Sequence, residues 1–153
     1  MFRGSYEAKI TDGRLKLPTD FERLVNATNN HQFYVTSVDG TSAEIWPLPE
    51  WEKREARLAE DSTMDDAVQA YLFWTSHYGQ QVEMDKQARI SLPRTLRDEA
   101  KLEGEVRVMG MMHYMEVTSL QVLKDKLAAK PLTAEGRARV AQILKSRSTS
   151  GTP

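Results

Sequence analysis

The feature that most constrains the fold is an internal repeat. The chain reads "TDGRLKLP" near its start and "KQARISLP" much later, so that Arg14 and Pro18 match Arg89 and Pro93 at an offset of 75 residues. Leu15 and Leu17 match aliphatic residues at the same offset. Because self-similarity at a fixed offset is typical of duplicated units, the pattern predicts two related segments.

A second block of matches follows in the same order. Glu44 and Ile45 match Glu116 and Val117 at an offset of 72 residues, so the second copy is three residues shorter in its middle. Two blocks in the same order, with one small change of length between them, indicate a duplication. We refer to the two segments as copy one and copy two.

Each copy predicts the same succession of elements. A short strand alternates Arg14 and Lys16 with leucines, and proline ends it because proline has no N–H for a ladder. A short helical turn, a hairpin and a closing helix follow. In copy one the pair Asp39-Gly40 is expected in the hairpin turn. The closing helices are expected at residues 49–60 and 119–129.

These elements divide the chain into four regions. Residues 1–62 form repeat one, 63–79 a connecting helix with an apolar stripe, 80–130 repeat two, and 131–153 a C-terminal helix with a disordered tail from residue 146. Neither copy buries enough apolar surface alone for a stable domain. The copies are therefore expected to pack together or to exchange strands.

Composition and missing motifs exclude several classes of protein. The 153 residues contain no cysteine, which excludes disulfides and thiolate metal sites. The chain lacks a run apolar enough to cross a membrane and an apolar signal segment, which favours a cytoplasmic protein. The three histidines are dispersed along the sequence, and catalytic and phosphate-loop motifs are absent from it. Both observations argue against an enzyme, a cofactor or a small-molecule substrate. Asp65 and Asp66 are interpreted as the start of a helix.

Two groups of side chains allow more than one interpretation. The methionines at positions 109, 111, 112 and 115 are compatible with a soft-metal site, but packing or a protein–protein contact is favoured. Trp46, Trp51 and Trp74 are compatible with base stacking, but the core or a subunit contact is favoured.

The repeated arginines carry the functional hypothesis. On residue type alone, Arg14 is a surface charge or part of an ion pair with Asp12 or Asp85. An arginine at the same point of two related units instead presents two equivalent guanidiniums. Each can bind a guanine edge or a phosphate. A strand or hairpin edge is also small enough to enter the major groove of DNA. The net charge of −1 gives no general support for nucleic-acid binding, so such binding requires a local basic patch.

Four fragments together resemble the MraZ family of bacterial regulators: "MFRG", "GRLKLP", "WPLPEWE" and "DKQARISLP". The resemblance covers residues 1–127. It implies an α+β fold in which two tandem AbrB-like βαβ-hairpin-helix repeats form one pseudo-symmetric swapped-hairpin β-barrel with flanking helices. It also implies a ring-shaped homo-oligomer that binds G-rich direct repeats of double-stranded DNA upstream of the division and cell-wall gene cluster.

The family signature, Asp-x-x-x-Arg, is present only in copy two. Asp85 stands four residues before Arg89, whereas the residue four before Arg14 is Ile10, so Asp12 is a shifted substitute at best. Arg14 and Arg89 are expected to contact bases, with Asp85 and Asp12 orienting them. Arg3, Lys16 and Lys86 are expected to contact phosphates.

Two other functions remain as alternatives. One is an antitoxin-like or scaffold barrel that binds a protein through its Met- and Trp-rich face. The other is a purely structural ring. Steep weakening of DNA binding by salt distinguishes a DNA-binding protein from both.

Overall fold

The computed structural model describes residues 1–61 and 64–150, apart from the side chains of residue 61 and residues 147–150. The chain divides into two compact units, Met1–Leu123 and Lys124–Pro153. The described strands are β1 (Phe2–Thr11), β2 (Arg14–Lys16), β3 (Gln32–Thr36), β4 (Ala43–Pro47), β5 (Gln80–Glu83), β6 (Arg89–Ser91), β7 (Gly104–Met112) and β8 (Met115–Thr118). The described helices are α1 (Thr19–Asn26), α2 (Leu48–Asp61), α3 (Asp66–His77), α4 (Arg94–Ala100), α5 (Leu120–Ala129) and α6 (Ala134–Ser150).

The two copies exchange strands within the first unit. The described strands form one sheet in the order β5-β3-β4-β8-β7-β1-β2-β6. The first strand of each copy pairs with the hairpin of the other copy, β1 with β7 and β5 with β3. The two hairpins meet at β4 and β8, and the two short strands meet at β2 and β6. The predicted swapped-hairpin barrel is therefore confirmed.

The pairing register shows a pseudo-twofold axis that relates the copies. Leu15 pairs with Ile90, and Glu44 pairs with Glu116. These are the residue pairs that the sequence repeat matched, at offsets of 75 and 72. A residue that pairs with its own counterpart lies on the axis that relates the two units. The axis thus passes through both blocks of the repeat.

Alternating strand residues of both copies supply one shared core. On β2, Leu15 is fully buried between Arg14 and Lys16, as the period of two along a strand requires. The largest fully buried side chains come from both copies: Phe21, Phe33, Leu15, Leu17, Ile45, Ile90, Leu96, Leu102, Met115, Val35, Val106 and Val108. Burial of a side chain of this size contributes about 1.5–3 kcal/mol. Because both copies supply such side chains to one core, each copy depends on the other for its stability.

An aromatic cluster packs α2 and α3 onto the barrel. Trp46 stacks on Tyr114 at a centroid distance of 4.4 Å, and Trp51 stacks on Tyr34 at 4.7 Å. The Arg54 guanidinium lies over the Trp46 ring at 5.0 Å. Trp46 and Trp51 are buried, which confirms that they belong to packed structure and not to a base-stacking surface.

The connecting helix is shorter and more exposed than its apolar stripe predicts. Asp65 caps α3 by accepting hydrogen bonds from Ala67 N and Val68 N, which confirms the predicted helix start. Residues 62 and 63, the expected beginning, lie outside the described residues. Among the described α3 side chains only Thr75 is buried, while Phe73 is 77% and Trp74 is 47% exposed.

The second unit contains most of α5 and all of α6. The apolar residues Val140, Ile143 and Leu144 lie on α6, as predicted, and are 49–66% exposed. The tail expected to be disordered from residue 146 is helical as far as Ser150, and residues 151–153 lie outside the described residues. In the described parts of the chain, every helix is too short or too polar to span a bilayer.

Candidate nucleic-acid interface

The paired strands β2 and β6 place the repeated arginines on one surface. We call these two strands the arginine ribbon. Arg14 pairs with Ser91 and Lys16 with Arg89, while the central pair, Leu15 and Ile90, is fully buried. Because side chains alternate across a strand, the outer face carries three cations within two cross-strand pairs. This is a local concentration of positive charge on a chain whose net charge is −1.

The turn that precedes β6 is organised around Asp85. Its Oδ1 atom accepts hydrogen bonds from the backbone N–H groups of Gln87 and Arg89, both at 2.9 Å. Its Oδ2 atom accepts from Arg89 Nε, also at 2.9 Å. One carboxylate therefore fixes both the turn and the arginine, which is the arrangement expected from the signature in copy two.

Asp85 also contacts the arginine of the other copy. Arg14 Nη1 lies 3.8 Å from Asp85 Oδ2, so both guanidiniums converge on one carboxylate oxygen. Within the described residues, Arg14 makes no ion pair with Asp12. The expectation that Asp12 takes over the missing acid of copy one is thus not supported by this geometry, and Asp85 supplies an acid to both copies.

The turns before β2 and β6 differ in length. Thr11 pairs with Arg14 across a two-residue turn, Asp12-Gly13, in which both residues have positive φ angles of 54° and 75°. Two consecutive positive φ angles are those of a type I′ hairpin turn, which favours Asp-Gly. Copy two instead has a three-residue turn, and Asp85 bonds across it to Arg89. Thr11 is therefore the structural counterpart of Asp85.

The pKa of Asp85 is consistent with its contacts to the two arginines. Partial burial raises its pKa, but the hydrogen bonds from Arg89 and Gln87 outweigh that effect and hold the pKa below the usual range of an aspartate. The carboxylate is therefore ionised at neutral pH and stabilises the two adjacent guanidiniums.

The remaining predicted site residues fall into two groups. Lys16 lies on the arginine ribbon, where its Nζ donates to Gln87 O at 2.6 Å and pairs with Glu22 at 3.3 Å. Lys86 is exposed in the Asp85 turn. Arg3 is also exposed but pairs with Met111, near the other end of β1. Roughly 25 Å of extended strand separates Arg3 from Thr11, so Arg3 does not belong to this cluster.

Two residues near the ribbon were missed by the sequence analysis. Gln87 is exposed, and its Oε1 accepts a hydrogen bond from Arg89 Nη2 at 2.7 Å. Arg97 donates from Nε to Leu92 O at 3.0 Å, and its guanidinium lies against the Gly13 backbone. Gln87 stands inside the signature "DKQAR", so its position was a usable signal. No sequence pattern pointed to Arg97, because only the fold brings α4 beside the Asp12-Gly13 turn.

Comparison with known proteins identifies the family. The chain is 43% identical over 144 residues to a protein of Acidobacterium capsulatum named "Transcriptional regulator MraZ", covering 94% of this chain and 99% of that protein. The chain belongs to the MraZ family. The resemblance read from the four sequence fragments is thereby confirmed.

Two further MraZ proteins are similar in sequence to this chain over nearly the same length. A transcriptional regulator MraZ of Koribacter versatilis is 43% identical over 137 residues, covering 88% of this chain and 93% of that protein. One of Serratia proteamaculans is 31% identical over 141 residues with the same coverage. The family model described as "MraZ protein, putative antitoxin-like" matches residues 78–135, which include the Asp85 turn.

Proposed function

We propose that this chain is a sequence-specific DNA-binding transcriptional regulator that contacts base edges through Arg14 and Arg89. The observation that carries the proposal is the convergence of these two side chains, one from each copy, on the single carboxylate of Asp85. The names of the MraZ relatives support the regulatory role.

The arginine ribbon has the size and chemistry that DNA recognition requires. The major groove of B-DNA admits a two-stranded β-ribbon, and an arginine fork matches the O6 and N7 acceptors of guanine. Arg89 is held by Asp85 and Gln87, which reduces the conformational entropy that it loses on binding. Asp85 acts as a positioning residue in this arrangement, and Lys16 and Lys86 lie where phosphate contacts are expected.

We further propose that the protein acts as a homo-oligomer, in accordance with the family resemblance. A ring presents several arginine ribbons to a repeated site and so raises affinity through multivalent contact. Exposed apolar side chains on α3 and on the hairpin of copy two are consistent with self-association, namely Phe73, Trp74, Met111 and Met112. The proposed target is a set of G-rich direct repeats upstream of the division and cell-wall gene cluster, and the proposed location is the nucleoid.

A barrel that binds a protein partner is the weaker candidate. The "antitoxin-like" description of the family model suggests it. The Met- and Trp-rich face that it requires is incomplete, however, because Trp46, Trp51 and Met115 are buried. Binding of a protein partner also does not require two arginines that converge on one carboxylate.

The decisive experiment compares wild type with Arg89→Ala on a duplex from upstream of the chain's own gene and on a scrambled duplex of equal composition. We expect wild type to prefer the native duplex and to weaken steeply with salt. Arg89→Ala should lose about 1–3 kcal/mol of that preference. Gel shifts over a salt series measure both quantities.

Arg57→Ala is the matched control, because it removes the same charge from an exposed position on α2, and α2 packs on β3 and β4. The control should retain the sequence preference. Equal preference in wild type and Arg89→Ala would contradict the proposed role of Arg89. Salt-insensitive binding, or no preference in wild type, would contradict DNA recognition altogether.

A further inference from the structure

Gln87 occupies a rigid, exposed position beside Arg89. Both of its backbone polar groups are bound, since its N–H donates to Asp85 Oδ1 at 2.9 Å and its carbonyl accepts from Lys16 Nζ at 2.6 Å. The turn that carries Gln87 is thus fixed by an acid of its own copy and by a lysine of the other copy. Its side chain is exposed on this fixed backbone.

The contact with Arg89 determines which way the Gln87 amide is oriented. Arg89 Nη2 lies 2.7 Å from the end of the Gln87 side chain. A guanidinium carries only donors, so the contacting atom must be the amide oxygen. The amide nitrogen therefore faces away from Arg89, and among the described residues it donates no hydrogen bond.

We infer that Gln87 is a second specificity-determining residue, whose amide N–H group donates to a base next to the one contacted by Arg89. The inference rests on the proposed DNA-binding function and deepens it. Because its oxygen is engaged by Arg89, Gln87 presents its amide N–H groups in place of the combined donor and acceptor pattern by which glutamine recognises adenine. Arg89 and Gln87 together present only donors.

A surface that presents only donors selects bases by their acceptors. In the major groove guanine offers the acceptors N7 and O6, thymine offers O4, and adenine offers N7 beside its N6 donor, whereas cytosine offers only the N4 donor. We therefore expect guanine opposite Arg89 and, at the neighbouring step, a base with a major-groove acceptor, namely guanine, thymine or adenine. Cytosine on the contacted strand is disfavoured there because two donors would face each other.

Copy one cannot make the same contact. Its two-residue turn has no counterpart of Gln87, and the exposed Asp12 in that turn offers only acceptors. The two halves of the arginine ribbon consequently present different groups despite the pseudo-twofold axis. Such a ribbon distinguishes the two orientations of an asymmetric site, as binding to direct repeats requires.

The test is selection of bound duplexes from a randomised DNA pool with the full-length protein and four variants. Arg89→Ala identifies the base pair that Arg89 contacts. We expect Gln87→Ala to retain the guanine at that pair and to lose about tenfold in discrimination at the adjacent pair. Gln81→Ala, which removes an exposed glutamine from β5, is the matched control and should enrich the same sequences as wild type.

Gln87→Glu separates base contact from mere positioning of Arg89. A carboxylate still accepts the hydrogen bond from Arg89, but it has no N–H to donate. If Gln87 donates to a base, Gln87→Glu loses the adjacent preference as Gln87→Ala does. If Gln87→Glu retains that preference while Gln87→Ala loses it, Gln87 acts only by holding Arg89 and the inference is wrong.

Two other outcomes overturn the inference for different reasons. If both Gln87 variants enrich the wild-type sequences, Gln87 contributes nothing to specificity, although the proposed function stands. If wild type enriches no sequence, the proposed function fails and the inference fails with it. Circular dichroism and gel filtration of each variant verify that the fold and the assembly are unchanged.

Discussion

At the scale of single residues, the two turns beside the arginine ribbon carry unequal backbone strain. Ala88 has a φ angle of 59°, a left-handed conformation that its counterpart Gly13 adopts, at 75°, without steric cost. Asp12 also has a positive φ, but aspartate tolerates this region better than alanine does. Copy two therefore contains a strained residue where copy one has a relaxed one.

Exchanging the two residue types tests this difference. Ala88→Gly should stabilise the protein by about 0.5–1 kcal/mol, since relief of the left-handed strain exceeds the added entropy of the unfolded chain. Gly13→Ala should destabilise the protein by about 1–2 kcal/mol, because alanine is strained at a φ angle of 75°. The new Cβ would also lie 2.8 Å from Arg97 Cζ. Urea unfolding midpoints measure both changes. A destabilised Ala88→Gly variant would show that the buried methyl group outweighs the strain.

At the scale of elements, the pairing of β4 with β8 places two acids opposite each other. Glu44 faces Glu116 across the ladder, on the pseudo-twofold axis. Burial raises the pKa of Glu44, the hydrogen bond from Trp46 Nε1 lowers it, and Glu116 raises it again, with a net upward shift. Ionised Glu44 therefore costs folding free energy.

Glu44→Gln should raise the free energy of unfolding at neutral pH by up to about 1 kcal/mol, the usual cost of like charges in a cross-strand pair. The amide oxygen can still accept the Trp46 hydrogen bond. Because the pKa of Glu44 is raised in the folded state, wild type loses stability as the pH rises from the ordinary glutamate pKa through the raised one. The difference between variant and wild type should thus vanish in acid.

Thermal unfolding at several pH values measures this effect. Glu52→Gln is a suitable control, because Glu52 is an exposed acid on α2. A gain in stability that is the same in acid and at neutral pH would rule out the electrostatic explanation.

At the scale of the whole molecule, strand exchange makes the two copies interdependent. β1 pairs with β7 along Phe2–Ile10, and β5 pairs with β3. Either copy alone would expose unpaired strand edges and lose half of its core. The four-region division of the sequence remains a prediction, but the barrel contains both copies within one compact unit.

Separated copies should therefore not fold as monomers. We expect residues 1–61 and residues 78–129, expressed singly, to be unfolded or to pair with a second molecule of the same fragment. A mixture of the two fragments should recover cooperative thermal unfolding and elute as one complex. Circular dichroism and gel filtration distinguish these cases. A monomeric copy with a cooperative transition would contradict the argument.

Sequence patterns predicted the repeat, the two closing helices and the positions of the arginines, and the resemblance to the MraZ family implied the swapped barrel. The repeat and its elements follow from local patterns: a matched phrase, alternation along strands, and prolines at strand ends. Three further facts required the folded structure: Asp85 contacts both arginines, Arg89 orients Gln87, and Arg3 lies near the other end of β1. Each of these depends on strands far apart in the sequence lying side by side, and local pattern does not specify such distances.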